Sequence, residues 1–218
     1  LLATTEAGII VAEAVSRQTM ISREESIMED FVPRRIDAIM LLKKYNSGEG
    51  LINHALAVEA VMRHYARKFK ADEEKWGVIG LVHDLDYEMF PEEHCHKSAQ
   101  ILKENNWPNE YIHAVMSHGW KICTHLKPEN DPERVLYAVD ELTGLVAATA
   151  LVRPSGSVMD MTAKSVMKKF KDKAFAAKID RDVITRGAEM MGVELSELIT
   201  ETIEGMKGVA EQIGLGMK

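Results

Sequence analysis

The chain is 218 residues long, 46% hydrophobic and carries a net charge of -7, which gives it material for one domain with a full core, or one domain with an elaborated end. The acidic balance excludes a nucleic-acid polymer or an anionic membrane surface as partner, because neutralising phosphates over an area takes clustered Lys and Arg. Two cysteines without a CxxC spacing, Cys95 and Cys123, exclude a disulfide framework or a thiolate zinc site and set a reducing, cytoplasmic compartment as the expectation, while the longest nearly apolar run, 142–152, is eleven residues against the roughly 20 of a membrane-spanning helix.

The first stretch, LLATTEAGIIVAEAVSRQ, starts without a basic region and carries Glu6 and Glu13 through its apolar part, unlike a secretory signal. Met20 reads as the start of the domain, leaving residues 1–19 as an extension. A capping box, Ser22 to Glu25, starts a helix that Pro33 breaks or restarts, and Asn46, Ser47 and Gly48 end the segment running from Pro33. In LINHALAVEAVMRHYARKF the residues at 51, 54, 58, 61, 65 and 69 share one helical face, with His54 inside the apolar stripe. Asp72 caps a helix through EEKWGVIGLVHDL, and Pro91 precedes another through HCHKSAQILKEN. Pro108 opens NEYIHAVMSHG, stopped by Gly119, and Pro132 opens ERVLYAVDELTGLVAATALV. Residues 155–179 are mixed and basic, and two last helices are capped by Asp180 and Ser196. No period-two pattern longer than a few residues occurs, so the expectation is an all-α fold. Residues 20–154 form its core, and 155–218 a C-terminal helical subdomain packed on that core.

All eight histidines lie between His54 and His125, several of them where a buried helix face is expected. Buried imidazoles and carboxylates need partners, and a metal ion is an efficient one. Asp140 sits among Leu136, Val139, Gly144 and Ala147 with no Lys or Arg one turn away to neutralise it. His83 and Asp84 are consecutive, so on a regular helix their side chains diverge by about 100° and reach one ion only near the helix end. With His54 and Asp140 they make two imidazoles and two carboxylates, a set suited to Mn, Fe, Ni or Zn more than to Ca or Mg. His64 reads as a surface residue, His113 and His125 as structural or supporting, and Cys95 and Cys123 as small, partly buried residues without chemistry.

His54, then His83-Asp84 after a hydrophobic run, then Asp140 in YAVDELTG, resembles the H…HD…D signature of the HD superfamily of metal-dependent phosphohydrolases, and the whole chain looks most like its small stand-alone bacterial members. The resemblance implies an HD-domain helical bundle holding one or two divalent ions (Fe, Mn, Ni or Zn). It implies hydrolysis of a small phosphorylated compound, a nucleotide among them, by metal-activated water. For the branches with a second ion it implies His94 of HCHKSAQIL and His118 of VMSHG as further ligands, Asp84 as the bridge, and His96 as the rival to His94. Some members use the same cradle for diiron oxygen chemistry, and a non-catalytic metal-binding sensor or scaffold is a third reading. Relatives often read HDIGK, whereas this chain reads His83-Asp84-Leu85-Asp86-Tyr87. Phosphate contacts then fall to Lys97, Lys121, Arg153, or Lys164, Lys168 and Lys169 of a run that otherwise reads as a solvated face. Asp86 or Glu88 would relay protons, with Glu92 and Glu93 competing. An oligomer stays open.

Overall fold

Caps and apolar periodicity decide where each helix starts and stops, and the stops place the chemistry. The computed structural model of the protein describes residues 31–217; the extension at 1–19 and the Ser22–Glu25 capping box lie outside the described residues. Among the described residues there are nine α-helices, one short 3-10 turn and no strand beyond an isolated bridge between Trp120 and Thr124. The fold is all-α, as expected. No described helix is long and apolar enough to cross a membrane.

Helix α1, Arg35–Tyr45, ends at Asn46, whose amide donates to the Leu42 and Leu85 carbonyls at 3.3 and 3.0 Å. Helix α2, Glu49–Phe69, is buried on every side from Ala55 to Met62 rather than along one stripe. Small side chains explain the difference, since Ala55, Ala57 and Ala60 let neighbours close in from several directions. Where α3, Glu73–Val82, crosses α2, a Cβ on Gly80 would lie 3.0 Å from the Glu59 Cα. Asp72 caps α3 by accepting from the Lys75 N–H at 3.0 Å.

After α3 the chain runs through turns at 83–89 and the 3-10 turn Pro91–Glu93 into α4, His96–Glu104, and then α5, Asn109–His118. Helix α6, Asp131–Leu151, is capped by Asn130, and Pro132 sits in its first turn. Three further helices follow: α7, Ala163–Lys171; α8, Arg181–Met191, capped by Asp180; and α9, Leu195–Lys207. The cap of α9 differs from expectation. Glu194 stands at its N-cap in extended conformation without a side-chain cap bond, so Ser196 already lies in the first turn.

Helix α2 packs against α3, α6 and α9, and α6 packs in turn against α8. One hydrophobic cluster runs from Ala38 of α1 through these helices to Leu215. Glu59, buried in the middle of α2, is neutralised from both sides by Arg35 at 2.7 Å and Arg63 at 2.9 Å.

Candidate metal centre

The end of α3 is the origin of the site. The helix stops at Val82, so His83 and Asp84 leave it in a turn and both reach the same space. His83 is wholly buried and its Nδ1 donates to the Gly80 carbonyl at 2.8 Å. His118, in the last turn of α5, donates likewise from Nδ1 to the Val115 carbonyl. A carbonyl can only accept, so in both rings Nδ1 carries a proton and Nε2 is the atom left to bind.

His94 is held by a carboxylate instead. Its Nδ1 donates to Asp86 Oδ1 at 2.8 Å, and the other Asp86 oxygen accepts from the Ser98 N–H at 2.8 Å. Cys95, at φ 66°, turns the chain between His94 and His96. His94 therefore faces Asp84, while His96 is exposed and points its Nε2 at the Cys123 carbonyl. Of the two rival histidines, the structure brings His94 to the cluster.

Two groups of side chains converge on Asp84. His54, His83, Asp84 and Asp140 form one, and Asp84, His94 and His118 the other. Asp84 Oδ2 lies 3.3 Å from His83 Nε2 and 3.9 Å from His54 Nε2, while Oδ1 lies 3.4 Å from His118 Nε2 and 3.6 Å from His94 Nε2. Asp140 Oδ1 is 2.9 Å from His54 Nε2 and 3.3 Å from His83 Nε2. Donors about 2.1 Å from a shared divalent ion sit roughly 3.0–3.4 Å apart; the His83 and His118 contacts match this, and His94 and His54, at 3.6 and 3.9 Å from Asp84, stand a few tenths of an ångström wide of it. His83 Nε2 and Asp84 Oδ1 are also buried without a hydrogen-bond partner, which is costly unless a cation takes them up.

The electrostatics agree. Burial lowers His83, but the charges of Asp84 and Asp140 outweigh it and hold the imidazole well above its usual pKa. Burial raises Asp84 and Asp140, yet the histidines beside them hold both well below the usual carboxylate range. Burial likewise works against His94, and its bond to Asp86 still lifts it to about 9. A cluster that stabilises positive charge this strongly suits a divalent cation.

A cavity of about 470 Å³ opens over the cluster. Besides the cluster it is lined by Leu51, Tyr87, Ile122, Glu141, Gly144, Lys178 and Asp180. Glu141 and Lys178 were missed in the sequence. Burial, then the charge of Asp140, raises Glu141 to about 7. Lys178 comes from the turn before α8, which Arg181 fixes by donating to the carbonyls of Phe170, Ala176 and Ile179 at 3.0–3.2 Å. The one advance signal was Glu141's position directly after Asp140.

The expected phosphate contacts lie elsewhere. Lys97 bonds Gln100 and covers the Phe90 ring; Lys121 sits over the Trp120 ring; Arg153 pairs with Asp160 and Ser165. Lys164, near the start of α7, is absent from the cavity lining. Asp86 is wholly buried behind His94, so it is placed to orient that ring rather than to relay protons to a substrate. Glu88 is engaged with the Ser47 and Gly48 N–H groups at the start of α2. His64 is half-buried and bonds Glu201 of α9 at 2.6 Å, so it is not a free surface residue. Cys95 and Cys123 are in contact, with their sulfurs 3.0 Å apart against Gly119.

Replacing Asp86 by Asn is expected to weaken the ion held by Asp84, His94 and His118 by about ten- to a hundredfold, the usual cost of losing a ligand's supporting bond. The His54 group should keep its ion, and metal titration by calorimetry would resolve the two.

The family model of the HD domain matches residues 51–148, the span that carries all six of these side chains. No solved structure matches the chain.

Proposed function

We propose that this chain, which belongs to the HD superfamily of metal-dependent phosphohydrolases, holds two divalent ions around Asp84 and hydrolyses a small phosphorylated compound. The observation that carries the reading is the division of the Asp84 carboxylate, Oδ2 toward His83 and Oδ1 toward His118, at 3.3 and 3.4 Å. His54, His83 and Asp140 would complete one ion's shell, and His94 and His118 the other's. When bound, such ions supply Lewis acidity, polarising a phosphoryl oxygen and lowering the pKa of a water.

The chain's own residues supply the rest. Lys178, at the cavity wall, is placed to bind a phosphate oxygen that points away from the ions. Glu141, at the cavity wall directly after Asp140, is placed to pass a proton between water and a leaving alkoxide. Asp86 keeps the His94 ring aimed at Asp84, and the Gly80 and Val115 carbonyls do the same for His83 and His118. The Tyr87 ring meets His94 edge-on with centroids 5.1 Å apart, at the cavity wall.

Elemental analysis of the purified protein, followed by a phosphomonoesterase and phosphodiesterase panel including nucleotides with Mn, Fe, Ni or Zn added back, tests this. Two ions per chain and phosphate release without oxygen are expected. Turnover that requires O2 would assign the cradle to diiron oxygen chemistry, and a chain that takes up no metal would remove the proposal altogether.

A further inference from the structure

A second cavity, of about 420 Å³, lies beside the first, and His54 and Gly144 line both. Its size falls within the roughly 300–1,000 Å³ of small-molecule sites. Its character is different. The first cavity carries the carboxylates of Asp84, Asp140, Glu141 and Asp180 and the ammonium of Lys178, beside Leu51, Tyr87 and Ile122. The second is walled mainly by Ala57, Ala147, Ala148, Leu151, Ile213 and Leu215, with Asn53 as a further polar side chain beside His54. Thr143 also lines it, but its hydroxyl donates to the Val139 carbonyl at 2.6 Å within its own helix.

The apolar wall is preformed. Leu215 and Ile213 are buried, and the Leu215 carbonyl accepts from Val158 N–H at 3.0 Å and Ser157 Oγ at 2.9 Å, which ties the C-terminal segment to the loop that follows α6. At the boundary, Gly144 leaves the way open: a Cβ there would find only the Ile179 Cδ1, at 3.6 Å. Leu151, at the far end, is 66% exposed.

Resting on the hydrolase reading above, we propose that the substrate is a phosphoester of an apolar alcohol, its phosphate at the Asp84 cluster and its hydrocarbon part in the cavity between α2, α6 and the C-terminal segment. Charge favours a single phosphate. Two divalent ions and Lys178 face four carboxylates, leaving little positive charge for a polyphosphate chain, whereas a hydrocarbon group gains from each methylene taken out of water.

The test compares methyl, butyl and octyl phosphate as substrates, and methyl- and octylphosphonate as uncleaved ligands, on the metal-loaded full chain. We expect kcat/KM to rise about three- to fourfold per methylene buried, and octylphosphonate to bind at least tenfold tighter than methylphosphonate. In Gly144→Val, and separately in Ala147→Phe, the octyl-to-methyl ratio should fall at least tenfold. A flat series in a protein that cleaves methyl phosphate overturns the apolar subsite and leaves the hydrolase intact. Failure to cleave any ester overturns the hydrolase reading, and the phosphonate pair then decides the subsite alone: equal binding of the two ends it.

Discussion

Asp84→Ala should abolish ion binding at both groups and hydrolysis with it, whereas His54→Ala should loosen only the ion of its own group. The asymmetry follows from connectivity. Asp84 is the only side chain that belongs to both the His54–His83–Asp140 group and the His94–His118 group. Losing a supporting bond behind a ligand costs about ten- to a hundredfold in affinity, so losing a carboxylate shared by two ions should cost more than a hundredfold at each. Elemental analysis and phosphate release, run on the same preparations, read both effects. An Asp84→Ala protein that retains two ions and turns over would refute the bridging role, and circular dichroism confirms that the helices persist in the variant.

The largest stability effect is expected from Gly187→Ala. A Cβ at Gly187 of α8 would lie 2.5 Å from the Ala138 Cα and 2.6 Å from its Cβ on α6, and backbone cannot step aside as a long side chain can. Overpacking of this kind costs about 1–3 kcal/mol. In a domain of this size each kcal/mol moves the melting temperature by about 2–4 °C. A fall of roughly 2–12 °C is therefore expected. Since Asp140 follows Ala138 by two residues on the same helix, metal affinity should drop as well. Gly144→Ala supplies the contrast: its Cβ meets only Ile179 at 3.6 Å, so it should be neutral or gain up to about 1 kcal/mol of helix propensity. Differential scanning calorimetry of the two variants separates crowding from the loss of glycine as such.

The elements were legible because most of their ends are written in local chemistry: Asp72, Pro132 and Asp180 mark starts that the structure reproduces. So were His54, His83, Asp84 and Asp140, since polar groups in apolar helical contexts demand partners, whereas His94 and His118 were legible only through the resemblance to the HD superfamily. What the sequence hid was everything set by long-range placement. Lys97, Lys121, Arg153 and Lys164 were chosen for nearness along the chain or for charge, yet flexible side chains settle where partners such as Gln100, Trp120 and Asp160 hold them. Lys178 reaches the cavity through a turn whose course depends on Arg181 gathering several backbone carbonyls, a tertiary device without a periodic signature. Asp86 looked like a proton carrier beside the histidine-aspartate pair, and only the fold reveals that it faces inward to His94. The burial of α2 on all sides needs its own alanines, Ala55, Ala57 and Ala60, and also the glycines that meet it, Gly80 against Glu59 and Gly205 against Val61, which no periodicity within α2 announces.

The six side chains come from five separate stretches: α2, the turn after α3, the bend before α4, the end of α5 and the middle of α6. An ion bound among them meets its full ligand set only in the folded chain, so free metal acts as a mass-action brace on folding. At a thousandfold excess over the dissociation constant each ion contributes about 4 kcal/mol, comparable to a sizeable share of a domain's whole stability. Resistance of this protein to heat and proteolysis should therefore track the metal content of its surroundings, and a chelator should act on the fold as well as on the chemistry.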